Sequence, residues 1–506
     1  MIVRQILLFG VSALTGIGMM ACTGSYRTLA PPSPTSAYIG APGMPAINTH
    51  SKNFAVASDP RMPIAIARPK LSSSHTYTLP ELINIAQLSS PTTRAAWERA
   101  RVAAAAAGVA EAAYLPLLTA EVLAGFAVVS ATAPGFEVGI IDVPTGTITT
   151  TGAQAAPSVA IQWLLFDFGS RDAALATALE LSFAANVGFN GSHQKLIFDV
   201  ANAYYQNAAS QAQTRINSET LDNARLVLTA AEARRKQGIG TTMDVTQAEQ
   251  QVAQAEFDLT EARGQERNTY AALLGAMGLS PTITIKVQDL GGKRLPKQVP
   301  GDLDRLIVAS LKRRADVQAA FAELKASEQG ILAAEAEFLP KVALSASANA
   351  LFGSYSVHDS RFGGGESFDT VQPNAALLLG LTVPIFDGGM REARLSSARS
   401  TAAASAFDFS RLQTTAAQEI VIAYDVLRTS LTGYTAATAL VTAARTNYEA
   451  ALEYYRTGLG TQPDVSVAQT GLLKAQYAQA QARSNAFTAA ATLAFATGTL
   501  TSAHGL

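Results

Sequence analysis

Leu165-Phe166-Asp167-Phe168-Gly169 recurs 220 residues later as Ile385-Phe386-Asp387-Gly388-Gly389. The same offset relates Asp199–Tyr204 to Glu419–Tyr424, and a third pair of segments keeps it as well. That third pair is a Gly-x-Gly-Thr-x-x-Asp-Val sequence at 238–245 and again at 458–465. Chance similarity would not preserve one offset over most of the chain, so the sequence predicts an internal duplication.

The offset changes upstream of these segments. Tyr114-Leu115-Pro116 corresponds to Phe338-Leu339-Pro340 at a separation of 224 residues. The first copy is therefore longer between these points, and we expect the additional residues in an exposed loop between strands.

Each copy begins with a helical composition. Residues 78–113 and 303–337 are rich in Ala, Glu, Arg, Leu and Gln, which favours one helix in each copy. We expect these helices to end where Pro116 and Pro340 arrive.

A hairpin is predicted next in each copy. The expected strands are Leu117–Val129, Pro157–Phe168, Val342–Phe352 and Asn374–Phe386. Their length of about 10–13 residues is close to the length that a tilted strand needs to cross a bilayer. In the last strand an apolar face alternates with a mixed face, which is typical of transmembrane strands, although a buried soluble hairpin would give the same pattern.

A long helix follows each hairpin. It is predicted from Arg171 to Lys236 and from Arg391 to Arg456, and at ~1.5 Å per residue such a helix is about 100 Å long. A stripe formed by Leu196, Val200, Ala203 and Tyr204 indicates packing against neighbouring helices.

Four strands cannot close a barrel, and an open sheet edge cannot face lipid because its backbone groups would lack hydrogen-bond partners. If the hairpins lie in a membrane, the chain must therefore oligomerise. Two copies are the minimum for a bacterial barrel of about eight strands, and three copies would give twelve.

The composition argues against several classes of protein. Hydrophobic residues make up 48% of the 506 residues, and 38 basic side chains balance 39 acidic ones, which argues against disorder and against a nucleic-acid partner. Beyond the N-terminus, no run of about 18 apolar residues indicates a membrane-spanning helix. The five histidines are scattered and no catalytic motif has a suitable context, so we expect no enzyme, no metal site and no cofactor.

The N-terminus has the pattern of an export signal. Arg4 precedes the apolar stretch 6–20, which predicts a signal peptide over 1–21. Met20-Ala21-Cys22-Thr23 contains the only cysteine and resembles the lipobox of bacterial lipoproteins, although Met19 stands where leucine is commonest. The resemblance implies that Cys22 is lipidated and anchored in the outer membrane. An ordinary cleavable signal or a buried thiol is the alternative.

These patterns divide the chain into consecutive segments. The expected boundaries are a signal peptide at 1–21, a Pro- and Ser-rich tether at 22–76, a first repeat at 77–290, a linker at 291–302, a second repeat at 303–498 and a C-terminal tail at 499–506.

The order of elements over about residues 77–498 resembles the TolC family of outer-membrane factors. The resemblance rests on Ala113-Tyr114-Leu115-Pro116, on the repeated Phe-Asp motif and on the two glycine turns. It implies an α+β membrane protein, a homotrimer in which each chain gives four strands to a twelve-stranded β-barrel that continues as a long α-helical periplasmic barrel.

The resemblance also implies a function and partners. The channel would be the exit duct of a tripartite efflux or type I secretion system, for small toxic compounds or for proteins. Its partners would be outer-membrane lipid, a periplasmic adaptor (membrane fusion) protein and an inner-membrane RND or ABC transporter.

The two glycine turns can be interpreted from their residues alone. Glycine permits a left-handed helix end, and Thr or Asp can cap the helix that follows. The resemblance adds a location at the periplasmic tip, where the adaptor docks and the channel constricts. It assigns to this tip Arg235, Gly238, Gly240, Thr241, Asp244, Tyr455, Gly458, Gly460, Thr461 and Asp464.

The gate itself departs from the family pattern. Val467 and Gly460 occupy positions where family members can carry an acidic residue and an arginine. Asp464 is nevertheless predicted to influence gating, because carboxylates clustered around a symmetry axis repel one another, raise their own pKa and attract cations.

A function of another class stays open at this point. The chain could be a lipid-anchored periplasmic coiled-coil scaffold or adaptor without a pore, its hairpins packed on each other. Lysine-poor strand pairs of bilayer-sized length at matched places in both copies argue against it.

Overall fold

A computed structural model describes residues 33–35, 54, 56, 58–64, 66–296, 299, 301–363 and 365–500. The predicted signal peptide, Cys22 and residues 501–506 lie outside the described residues. The description below concerns Arg68–Leu506, the larger of two units into which the chain divides.

The described helices follow the duplicated order. They are α1 (Leu79–Ser89), α2 (Pro91–Ala112), α3 (Ser170–Lys236), α4 (Thr242–Ala276), α5 (Leu303–Leu311), α6 (Ala315–Ala336), α7 (Met390–Thr457) and α8 (Gln462–Ala496). The described strands are β1 (Thr76–Tyr77), β2 (Leu117–Ala133), β3 (Phe136–Val138), β4 (Ile141–Val143), β5 (Gly146–Phe166), β6 (Lys286–Val287), β7 (Lys341–Asp359) and β8 (Gly365–Thr382).

The segment ahead of each hairpin forms two helices, so the prediction of a single helix was wrong. In the first copy, Ser90 ends α1 and caps α2, because its side chain accepts a hydrogen bond from the backbone N–H of Thr93. Pro91 follows at the first position of α2, where its missing N–H is tolerated. In the second copy the interruption lies at 312–314, where Arg314 is fixed by Asp316 at 2.6 Å and by Glu419 at 2.7 Å.

One antiparallel sheet contains the four long strands. Its order is β2-β5-β7-β8, so the hairpins of the two copies join through β5 and β7. The strands β2 and β8 are the edges, and within the described residues each pairs on one side only. The loop between β2 and β5 contains the additional hairpin β3–β4, whereas residues 360–364 suffice between β7 and β8. This confirms that the extra residues of the first copy lie between strands.

All four strands are longer than predicted, with 17, 21, 19 and 18 residues. The predictions began at or just after Pro157 and Pro373, but both prolines lie inside strands. In the pairing of β5 with β7, residues 156 and 157 have no partner, so the missing N–H of Pro157 removes no hydrogen bond from this ladder. Pro373 lies on an edge strand, where proline is tolerated. At its other end β8 stops at Thr382, before Pro384, rather than at Phe386.

An ion pair fixes the passage from strand to long helix in the first copy. Asp167 accepts hydrogen bonds from the backbone N–H of Arg171 at 2.9 Å and from its Nε at 3.2 Å. The same guanidinium donates to the Leu164 carbonyl at 2.6 Å and stacks 4.8 Å from the centre of the Tyr114 ring. Tyr114 precedes the Leu-Pro that opens β2, so this contact ties together both ends of the hairpin.

The second copy repeats this junction. Asp387 accepts from the backbone N–H of Arg391 at 3.1 Å and from its Nε at 2.7 Å. The guanidinium donates to the Pro384 carbonyl at 2.9 Å and lies 5.4 Å from the centre of the Phe338 ring. The recurrence of the Phe-Asp and aromatic-Leu-Pro motifs is therefore explained by one duplicated clamp, whose arginine also recurs at the 220-residue offset.

The long helices α3 and α7 have 67 and 68 residues, which corresponds to about 100 Å each. As the stripe on α3 predicted, Leu196, Val200 and Tyr204 are buried. The Tyr204 hydroxyl donates to the Gln288 carbonyl at 2.8 Å, and so attaches the segment between the copies to α3. Among the described residues, no helix combines the length and apolarity needed to cross a membrane.

Candidate functional site

The two glycine turns have the same backbone geometry. Gly238 (φ 79°) and Gly458 (φ 87°) end the long helices in the left-handed region, which favours glycine. The N–H groups of Ile239 and Gly240 both donate to the Arg234 carbonyl at 3.1 Å, and residues 459 and 460 donate likewise to the Tyr454 carbonyl.

The second glycine of each turn is required for a different reason. A Cβ at Gly240 would lie 2.9 Å from the backbone nitrogen of Arg235, and a Cβ at Gly460 would lie 3.2 Å from that of Tyr455. Each turn folds back on its own helix too closely for a side chain. The structure therefore accounts for both glycines in each turn by local geometry.

The Thr and Asp of each turn form a capping box. Thr241 Oγ1 accepts from the Asp244 N–H at 3.2 Å, and the Asp244 carboxylate accepts from the Thr241 N–H at 2.9 Å. Asp464 accepts in the same way from Thr461 at 3.0 Å. Hydrogen bonds from the Thr461 hydroxyl and N–H lower the pKa of the Asp464 carboxyl. Within one chain this direction is opposite to the rise expected from carboxylates clustered around an axis.

Tyr455 and Arg235 occupy equivalent positions but have different environments. Tyr455 is only 2% exposed and packs among Val245, Tyr448 and Val465, in a core shared by the four helices near the turns. Burial raises the pKa of the Tyr455 hydroxyl. Arg235 is exposed to solvent. The duplication therefore does not extend to the role of this position.

Arg234, for which the sequence predicted no role, connects the two repeats of the chain. Its guanidinium carbon lies 4.7 Å from the centre of the Tyr455 ring, and its Nη1 donates to the Tyr455 carbonyl. We call this pair of contacts the Arg234–Tyr455 latch. The only available signal was the adjacent Arg234-Arg235, and sequence could not tell which arginine faces the other copy because that depends on how the helices are rotated.

Large apolar side chains are exposed around the turns. Ile239, Met243 and Leu459 are each more than half exposed, as is Val467. Apolar side chains grouped at one end of a helical assembly are typical of a protein interaction surface.

At the opposite end of the long helices from the glycine turns, the sheet has two chemically different faces. Residues opposite each other in an antiparallel pair share a face, so the register defines both. In the half of the sheet nearest the helices, one face carries Leu118, Ala120, Val122, Val159, Ile161, Trp163, Val342, Leu344, Ala346, Leu377, Leu379 and Leu381. The other face is more polar: it carries Thr119, Glu121, Ser158, Gln162, Ser345, Ser347, Asn349 and Asn374, together with leucines such as Leu117, Leu164 and Leu378.

The apolar face is shorter than the strands. On β8 it runs from Val371 to Leu381, beyond which Asp369 and Ser367 occupy the same side. Eleven residues at ~3.3 Å span about 36 Å, which a tilt of about 45° reduces to the ~25 Å apolar band of a bacterial barrel. The strands thus continue past the band, which is why their length exceeds the predicted one.

Comparison with known proteins agrees with this architecture. The sequence profile of the outer membrane efflux protein family matches residues 82–279 and 306–499. The chain is 32% identical to the pyoverdine export outer membrane protein OpmQ of Pseudomonas putida, with 38% of each chain covered. It is 28% identical to the probable efflux pump outer membrane protein TtgC of P. putida, with 62% of each covered. The chain therefore spans less than two thirds of the length of these relatives.

The fold is also that of a solved outer membrane protein. The crystal structure of the outer membrane protein VceC from Vibrio cholerae superposes with a TM-score of 0.62 at 22% identity, covering 83% of this chain and 96% of that one. Since the family profile matches most of the chain, in both copies, this protein belongs to the outer membrane efflux protein family and is a protein of the outer membrane.

Proposed function

We propose that three copies of this chain form the exit duct of a tripartite export system. The proposal rests on the four-stranded sheet, whose strands β2 and β8 each pair on one side only within the described residues. One face of the sheet is apolar and the other is more polar. In a bilayer the edges β2 and β8 must find partners, and pairing between copies satisfies them. Three copies give twelve strands, with the apolar face toward lipid and the polar face toward a water-filled lumen.

The helices extend the lumen away from the membrane. Because α3 and α7 each measure about 100 Å, they form a tunnel that reaches the Arg234–Tyr455 latch at its far end. The exposed apolar side chains at the turns are the docking surface for a periplasmic adaptor. An RND or ABC transporter in the inner membrane supplies energy, and the duct itself is passive.

The names of two relatives support one class of cargo. The names of OpmQ and TtgC refer to export of pyoverdine and to an efflux pump, which supports small compounds as a cargo here. Acylation of Cys22 would anchor the mature chain in the outer membrane, and residues 22–76 would connect that anchor to the first repeat.

Adjacent leucines on β8 provide the test. Leu377 lies on the apolar face opposite Ala346, and Leu378 lies on the other face opposite Ser345. Both side chains are exposed in the single chain, at 72% and 62%. An arginine on the lipid side near the middle of the bilayer costs about 2–4 kcal/mol per strand, whereas a lumen position tolerates it.

We therefore expect Leu377→Arg to abolish the heat-sensitive oligomer on unheated gels and the conductance in planar bilayers. Leu378→Arg should keep the oligomer and change only ion selectivity. Equal tolerance of both substitutions would contradict the assignment of the faces. If the unaltered chain forms a stable oligomer that does not conduct, the protein is the scaffold without a pore.

A further inference from the structure

The hairpin β3–β4 extends from the end of the sheet farthest from the helices. It pairs only with itself within the described residues, as Phe136 with Val143 and Glu137 with Asp142. Two strands of three residues are too short to be stable alone in water. The hairpin therefore needs a surface to pack against.

The two faces of this hairpin differ in chemistry. Phe136 and Ile141 share a face with Val143, and Ile140 at the turn is fully exposed. The opposite face carries only the acidic pair Glu137 and Asp142. An apolar face backed by two carboxylates suits a partner that is apolar and not anionic, which disfavours an anionic membrane surface.

The base of the hairpin is held by the short connection between β7 and β8. Thr147 donates from its N–H to Ser360 Oγ at 2.8 Å, and the Ser360 N–H donates to the Thr147 carbonyl at 3.0 Å. Arg361, paired with Asp359 at 2.7 Å, packs closely over Gly146. The short connection between β7 and β8 therefore holds residues 146 and 147 at the end of the sheet, and the hairpin β3–β4 extends beyond them as an arm.

Proline separates the arm from the barrel wall. Pro134 and Pro144 lie between the β2–β5 ladder and the β3–β4 ladder, which belong to different sheets. Since proline cannot continue the ladder, the arm is free to bend out of the wall. In an oligomer, bending toward the barrel axis is the movement that brings the apolar faces of the hairpins from different chains together.

We propose that the β3–β4 hairpins of three copies meet on the threefold axis and close the outer mouth of the duct. This inference rests on the proposed trimer. With strands ~4.8 Å apart and tilted by about 40°, a twelve-stranded barrel has a radius of about 12 Å. The arm from residue 134 to residue 139 spans about 20 Å at ~3.3 Å per residue, so its tip reaches the axis.

The partner of each hairpin is thus a second copy of the same hairpin. The apolar faces meet at the axis and exclude water, while the acidic faces point away from one another into solvent. Cargo that arrives from the tunnel separates the three arms, which are held together only by small apolar contacts.

Cysteine cross-linking tests the meeting at the axis. In Ile140→Cys, mild oxidation should link two of three copies, which appears as a dimer band on a non-reducing denaturing gel. The matched control is Phe362→Cys, at another exposed position, in the short connection between β7 and β8, where no dimer is expected. The unaltered chain controls for cross-linking through Cys22, its only cysteine. If both variants form conducting channels and Ile140→Cys gives no more dimer than Phe362→Cys, the closure is overturned.

Labelling from outside the cell provides a second readout. Ser347→Cys puts a thiol on the polar face inside the barrel. A polymer-linked maleimide should reach it about tenfold faster when Phe136 and Ile141 are both serine, because the closed population then falls. Equal rates would overturn the closure alone. If even a small maleimide cannot reach the thiol from outside, the lumen assignment fails, and the closure fails with it.

Discussion

Replacing Arg234 with alanine removes the contact that joins the two copies at the tip. The guanidinium makes a cation–π contact at 4.7 Å with Tyr455 and a hydrogen bond to its carbonyl. If the latch holds the tip closed, its loss favours the open tunnel. We expect higher conductance and longer open times for Arg234→Ala than for the unaltered chain.

The size of the effect follows from these two contacts. A partly exposed cation–π contact contributes about 0.5–1 kcal/mol, and a hydrogen bond from a charged group contributes about 1.5–3 kcal/mol. Their lower limits give about 2 kcal/mol per chain, which is a change of about 30-fold in the ratio of latched to unlatched tips.

Single-channel recording in planar bilayers measures the effect, and two variants control it. Arg235→Ala removes the same charge from the neighbouring exposed position and should leave conductance unchanged. Tyr455→Phe keeps the ring and the carbonyl and removes a hydroxyl that makes no hydrogen bond within the described part of the chain, so it should also conduct as before. Conductance of Arg234→Ala that equals that of Arg235→Ala would refute the latch.

Other predictions concern the cap, the clamp and the anchor. Asp464→Ala should lower the thermal stability of the tip and alter cation conductance; unchanged conductance and cation block would remove Asp464 from the gate. Because hydrogen bonds from Thr461 lower the pKa of Asp464, its stabilisation should be complete at neutral pH and disappear as the pH falls through that lowered pKa, and unfolding of the alanine variant should lack this acid dependence. Arg391→Ala leaves Asp387 without its ion-pair partner and should destabilise the junction, seen as a lower dissociation temperature of the oligomer, with Arg391→Lys intermediate. Cys22→Ser should abolish incorporation of labelled palmitate, and an unaltered chain that takes up no label would contradict the anchor.

Local features of the fold could be predicted from sequence because neighbouring residues produce them. The glycine turns follow from the left-handed backbone at Gly238 and Gly458, and the helix starts after them follow from Thr-x-x-Asp capping. The duplication and the order of its elements follow from one repeated offset. None of these predictions required knowledge of a distant contact.

The break between the first two helices is local, set by Ser90 and Pro91, whereas the other errors arose where a distant contact decides the outcome. The strands continue through Pro157 and Pro373 because the pairing of the sheet leaves room for a missing N–H at the first and an edge at the second. No local signal reports which side of a strand is paired. The break at 312–314 likewise has no proline, and depends on Arg314 reaching Glu419 about a hundred residues away.

Sequence alone determined that the chain is a duplicated helix, hairpin and long-helix unit, because periodicity, turn chemistry and a repeated offset are properties of the chain itself. Tertiary structure decided that Arg234 rather than Arg235 meets Tyr455, and that Leu377 rather than Leu378 lies on the apolar face. Both choices depend on helix rotation and strand register. Neighbouring residues in a chain point in different directions, and only packing against the rest of the molecule selects one of them.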